Sequence, residues 1–364
     1  MFIVIALLVL SVLVLVHEFG HFYVAKKSGV YVEEFGIGLP PRVWGKKIGE
    51  TIYSVNALPI GGFVRLHGET TDEKVTDKTR AFLYKPKKVR VAVAMAGIFM
   101  NFLLAIFFYS VVNFVTGVPR ELGEVKVVEV TQNTPAAEVG LLEGDIVKSV
   151  DGNSYKTSND FVTYVAEKQG QEIKIDVNRN GEGMEFIATP RIDHPTDEGA
   201  LGVIVSSQEL YQPPILQRPF IAIWHGIKDT WYISKLIVAG FASIFTTLSS
   251  GQVPKGVAGP VGITALIAGV AKLGVLPLLE LSAIISVNLA LLNMVPFPPL
   301  DGSRVMFVGL EAIFGKRKLP KIEEYSYMVG MAILLVLMVL LSANEIPKLL
   351  KAGSFDAFIN SILK

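Results

Sequence analysis

The sequence predicts an α-helical polytopic membrane protein with one soluble αβ domain inserted among its helices. Three observations carry this expectation. Of the 364 residues, 51% are hydrophobic and only 18% charged, and the mean hydropathy is +0.47, which departs from ordinary soluble domains. Several stretches without formal charge reach the length of about 20 residues that a helix needs to cross a bilayer. The long polar segment after the second of these stretches alternates short strand-like and helix-like runs and is net acidic.

The first transmembrane helix is expected over 2–24, within a segment 1–25. Its apolar run ends in His17, Glu18 and His21, and it lacks both a basic leader and a small-residue cleavage site, so it does not read as a removable signal peptide. The second is expected over 91–117, because Tyr109 is the sole ionisable residue between Arg90 and Arg120. The third starts near 278 and stays uncharged from Glu280 to Asp301. The fourth covers 325–343, followed by a tail at 344–364. The connection 26–90 is basic, with Lys85, Lys87, Lys88 and Arg90 near its end, and Lys316, Arg317, Lys318 and Lys321 follow the third span. The positive-inside rule places both on the cytoplasmic side and the tail outside. Segment 207–277 mixes Trp224, Trp231 and Tyr232 with Lys228, Asp229 and Lys235, a pattern for amphipathic helices at the outer interface.

The polar segment 118–206 is expected outside. Val125–Val130 reads as a strand, and Thr134-Pro-Ala-Ala-Glu-Val-Gly-Leu as a short capped helix. A strand then ends in the Asp151-Gly turn, 161–167 reads as a helix, and two further strands flank Asn180-Gly. The runs Leu122-Gly-Glu-Val, Pro135-Ala…Gly144-Asp-Ile and Val150-Asp-Gly-Asn resemble a PDZ domain of the circularly permuted bacterial kind. That resemblance implies binding of extended peptides, often at a C-terminal carboxylate.

Composition also excludes chemistry. A net charge of +1 supplies no field for nucleic acid. The absence of cysteine removes disulfides, thiolate metal sites and cysteine nucleophiles. Five histidines remain, at 17, 21, 67, 194 and 225. His17 and His21 are spaced i, i+4, so on a helix both imidazoles project from one face toward a single metal ion. Glu18 is adjacent and suited to take a proton from an attacking water. Three ionisable groups behind an apolar run are costly in a membrane unless paired or metal-bound. A catalytic zinc takes three protein ligands and leaves one position open. Asp301 is the best third candidate. Pro296, Pro298 and Pro299 must unwind the chain just before it, and membrane-depth unwinding is tolerated only beside a protein cavity or water. Both inward-running helices should bring their polar ends to similar depth, toward the cytoplasmic side.

His17-Glu-x-x-His21, the segment Asn293-x-x-Pro-x-Pro-x-Leu-Asp-Gly302 within 278–310, Gly259-Pro-Val-Gly-Ile263 and the intervening domain together resemble the site-2 protease family of intramembrane zinc metalloproteases, most closely the bacterial branch that cleaves anti-sigma factors. The resemblance implies Zn2+ held by His17, His21 and Asp301, Glu18 as general base, and Asn293 holding the substrate backbone. It implies that residues 31–66 form a re-entrant β-loop. It further implies substrates that are single-pass membrane proteins already relieved of their ectodomains, in a bacterial cytoplasmic membrane. This chain has room for one PDZ-like domain rather than a tandem pair. The alternative is a non-enzymatic membrane scaffold that recruits peptides, against which Glu18 argues because a scaffold needs no base beside a metal.

Overall fold

The computed structural model describes residues 2–70, 75–195, 198–250, 258–315, 319–354 and 357–358. The chain divides into two compact units, Met1–Val115 with Pro219–Lys364, and Thr116–Arg218.

The first unit opens with helix α1 (Phe2–Lys27), which ends on Lys26 and Lys27, where positive charge suits the helix dipole. Strands β1 (Val32–Ile48) and β2 (Thr51–Leu66) pair antiparallel and fold back across one another. Phe35 faces both Tyr53 and Val64, so the start of β1 lies between the two halves of β2. The outer segment Gly62–Leu66 pairs with no further strand among the described residues. Val32 and Leu66 anchor this hairpin in a core with Ala25, Val30, Phe82 and Val93. Away from that core Val43, Trp44, Ile48 and Leu58 are exposed. Helix α2 (Lys87–Thr116) follows.

The inserted unit contains β3 (Val118–Val130), α3 (Pro135–Val139), β4 (Ile146–Val150), α4 (Ser158–Glu167), β5 (Ile173–Arg179), β6 (Glu182–Ala188) and β7 (Val203–Tyr211). They form one antiparallel sheet in the order β6-β5-β4-β3-β7. Its core gathers Val125, Val127, Val147, Val150, Phe161, Ile173, Ile175 and Leu201. The expected elements are present at close to the expected positions. The boundary at 206 is early, because β7 continues to Tyr211 by pairing with the first half of β3, Val118–Glu121. Asp145, fully buried, accepts from Arg179 Nε and Nη2 at 2.7 Å each and from the Leu142 N–H at 2.9 Å. Burial works to raise this carboxyl, but the guanidinium and the amide outweigh burial and hold it below the usual carboxylate range.

The first unit resumes with α5 (Arg218–Ser249), α6 (Pro260–Val270), α7 (Val275–Met294), α8 (Asp301–Phe314) and α9 (Leu319–Ala352). Helices α1, α2 and α7 and residues Lys321–Ala352 of α9 are long and apolar enough to cross a membrane. Small residues let neighbouring helices approach closely: Ala105 of α2 clusters with Ala283 and Val287 of α7, and Ala6 of α1 with Ala268 of α6. Arg90 of α2 is ion-paired with Glu311 of α8. The Gly259–Ile263 stretch is the start of α6, where the Gly259 and Gly262 N–H groups donate to the buried Glu345 carboxylate of α9 at 2.6 and 3.1 Å. The third hydrophobic stretch, expected as a helix near 278–297, is α7. The prolines end α7 at Met294, and a new helix begins at Asp301, so the carboxylate opens a helix rather than closing an unwound strand. The fourth helix runs to Ala352, beyond the expected 343, with Pro347 inside it. Lys316, Arg317 and Lys318, used above for orientation, lie outside the described residues, as does part of the tail.

Breaking a buried ion pair strands the remaining charge. Asp145→Ala is therefore expected to lower the stability of the inserted unit by about 3 kcal/mol, read by pulse proteolysis of the intact protein in urea. The depressed folded-state pKa makes this contribution present above the unfolded value of about 3.9 and lost as pH falls through the folded value. Asp145→Asn should flatten that acid limb.

Candidate metal centre and active site

His17 and His21 lie one turn apart toward the C-terminal end of α1, and their rings meet edge to face with centroids 4.8 Å apart. Their Nε2 atoms are 3.1 Å from each other and 2.9 and 3.2 Å from Asp301 Oδ2. Among the described residues this is the one group of three or more His, Asp or Glu side chains able to share a metal ion. His67 is elsewhere, buried with Nδ1 2.8 Å from Glu33 Oε1. His194 lies in the inserted unit and His225 on α5.

Helix α2 shapes the imidazole pair. The His21 Nδ1–H donates to the Val93 carbonyl at 2.7 Å, which leaves Nε2 as a lone pair directed at the centre. One turn on, a Cβ at Gly97 would stand 2.5 Å from His21 Nε2 and 2.7 Å from His17 Nε2, so no larger residue fits there without displacing both rings. On the opposite side, Gly302 allows the backbone at Met294 and Val295 to come against the first turn of α8. That close approach fixes Asp301.

These residues fit a zinc ion. A tetrahedral ion with bonds of about 2.0–2.1 Å spaces its ligands by about 3.3 Å, and the three donor atoms are 2.9 to 3.2 Å apart. Two imidazole nitrogens and one carboxylate oxygen form a donor set that leaves a fourth position free.

Glu18 and Asn293, the latter in the last turn of α7, line the same cavity of about 490 Å³ as the three donors. Phe63, Val64 and Leu66 of β2 form another part of its wall. So do residues that sequence reading did not select: Asn101, Glu69, Arg304 and Tyr327. Arg304 is ion-paired with Glu69 and lies over the rings of Phe82 and Tyr327. An asparagine within an uncharged span, and an arginine one turn past the metal-ligand candidate, were the available signals for two of these.

A cavity in which two imidazoles, an aspartate and a glutamate meet, lined by helices of transmembrane length, is the equipment of a membrane-embedded metal-dependent hydrolase. The chain belongs to peptidase family M50, whose profile matches residues 5–337. It is 35% identical over 348 residues to a candidate zinc metalloprotease of Clostridium perfringens, covering 95% of this chain and 98% of that one. It is 27% identical over 422 aligned positions to the regulator of sigma-W protease RasP of Bacillus subtilis, covering 94% and 97%. The PDZ domain of an SdrC-like protein from Listeria monocytogenes is 26% identical, covers 23% of this chain and 87% of its own, and has a TM-score of 0.21. The chain is thus a zinc-dependent metalloendopeptidase of the site-2 protease type and a multi-pass membrane protein.

Gly97→Ala is expected to push the imidazoles apart. Purified protein should carry well under one zinc per chain by elemental analysis and lose about 10- to 100-fold in cleavage rate, on the scale of a disturbed ligand shell, while still inserting in the membrane.

Proposed function

We propose that His17, His21 and Asp301 hold the zinc ion, that Glu18 is the general base, and that the enzyme cuts within or near the transmembrane segment of single-pass membrane proteins after their ectodomains are shed. The convergence of three ligand atoms to within 2.9 to 3.2 Å carries this reading. Zinc at such a donor set supplies a Lewis acid and lowers the pKa of water to about 7. Glu18 then takes the proton from the water as it attacks the scissile carbonyl, and returns it to the departing amine nitrogen. Asn293 donates its amide N–H to the substrate backbone and keeps the scissile bond in place.

A substrate helix hides its peptide bonds in its own hydrogen bonds and must open before attack. The unpaired edge Gly62–Leu66, part of whose residues line the cavity, offers backbone groups that replace those bonds by strand addition. We take the exposed apolar residues of the β1–β2 hairpin, Val43, Trp44 and Leu58 among them, as the part of a re-entrant loop that meets lipid. The basic connections set the orientation of the whole: the active site toward the cytoplasm and the inserted unit outside.

The inserted unit acts as a PDZ-like substrate filter in this reading. A cavity of about 240 Å³ between α4 and the segment leading into β7, lined by Phe161, Val162, Val165, Leu201 and Val203 together with Gln169, His194 and Glu198, is mostly apolar and suits the last residues of a peptide. This favours capture of a C-terminus freed by an earlier cut over simple exclusion of bulk. The identity of the Bacillus subtilis relative favours anti-sigma factors as the substrate class.

The test is incubation of purified protein with candidate transmembrane peptides, with and without chelator, mapping cuts by mass spectrometry. Glu18→Gln should retain zinc and lose cleavage by about 10²–10⁴-fold, the usual contribution of a general base. Undiminished cleavage by that variant, or full activity after chelation, would refute the assignment.

A further inference from the structure

We propose that Asn101 is a positioning residue for the metal centre, its side-chain carbonyl fixing the ring of His17 so that Nε2 presents a lone pair to the ion. The inference rests on the metal-ligand assignment above. Val93, Gly97 and Asn101 succeed one another at four-residue spacing along one face of α2, about 6 Å per step. His17 and His21 lie against that face in antiparallel order. His21 meets the Val93 carbonyl, Gly97 clears the space between, and His17 meets Asn101.

The contact is between His17 Nδ1 and the Asn101 carboxamide, 3.2 Å from Nδ2. Asn101 is wholly buried, and its Oδ1 has no hydrogen-bond partner there. A His17 that binds a metal through Nε2 carries its proton on Nδ1, and that N–H needs an acceptor. The two ends of a carboxamide have nearly the same shape. With the group turned half a revolution, Oδ1 accepts the Nδ1–H of His17. A neutral imidazole with its proton on Nδ1 has its lone pair on Nε2, the atom that faces Asp301 and His21. The opposite orientation has the amide N–H donating to Nδ1, puts the ring proton on Nε2 and blocks it as a ligand.

Two features keep Asn101 at this task. Its backbone carbonyl accepts from the Ser286 hydroxyl of α7 at 2.8 Å, which ties this turn of α2 to α7. On α2 itself no charged residue competes for its side chain, since Arg90 and Arg120 bracket the run. Thus α2 serves both imidazoles by different means: a main-chain carbonyl for His21, which no substitution removes, and a side-chain carbonyl for His17, which one substitution does.

The test measures zinc affinity of the full-length protein in detergent by competition with a chromophoric chelator, and follows Co2+ loading by its visible absorption. Asn101→Leu removes the acceptor at nearly constant volume and should weaken zinc 10- to 100-fold, the usual effect of losing such a partner. Asn101→Asp restores an acceptor for Nδ1–H and should stay within a few-fold of the unsubstituted protein, with its Co2+ spectrum intact. If Asn101→Leu does not accumulate, Asn101→Ala provides the same comparison. Unchanged affinity in the leucine or alanine variant would overturn the proposal. So would equal losses in the aspartate and apolar variants, which would mean that Asn101 only fills space. Failure of the unsubstituted protein to bind zinc would instead count against the ligand assignment itself.

Discussion

The constraint on which the membrane unit depends is the meeting of an imidazole pair with a carboxylate 284 residues away in sequence, at 2.9 Å. Polar groups of this kind are costly in lipid unless they satisfy one another. Each neighbouring element contributes to that satisfaction. Helix α1 supplies two rings at one-turn spacing. Helix α2 gives a carbonyl, a gap without a side chain and a buried amide. The proline break between α7 and α8 turns the chain so that Asp301 opens a new helix against the same centre.

The four long apolar helices were legible because lipid enforces length and absence of charge, and both can be counted in a sequence. The strands and helices of the inserted unit were legible from turn residues such as Asn180-Gly and from alternation. The motif around His17 and the proline-rich approach to Asp301 could be read because their chemistry is local. What could not be read is what depends on packing. Nothing in the sequence says that Gly97 lies against both imidazoles, or that Arg304 pairs with Glu69 across 235 positions. Strand β7 is absent from the sequence expectations, because its pairing with the distant β3 leaves no local pattern to read. The start of the helix at Asp301 was obscured by the three prolines before it, which disable helix on their N-terminal side and permit it afterward.

Hydrolysis inside a membrane needs water, an opened substrate helix and a base, all in a place that disfavours each. The cavity reconciles these demands. It joins Glu18, Asn293 and the three donor atoms to the free edge of β2, so the groups that would activate water and those that would hold an extended chain line one cavity. The remainder of the chain divides its labour accordingly. Clusters of small residues join α2 to α7 and α1 to α6, while the inserted unit carries its own core and a separate, mostly apolar cavity.

The most direct measurement is X-ray absorption at the zinc edge of the purified, active protein, with His21→Ala and Asp301→Ala in parallel. The account predicts one zinc per chain with nitrogen and oxygen neighbours at about 2.0–2.1 Å and the multiple-scattering signature of two imidazoles. It also predicts that the second ring disappears in His21→Ala, and that the ion is lost or greatly depleted in Asp301→Ala. Full zinc content and an unaltered spectrum in both variants would place the ion elsewhere and contradict it.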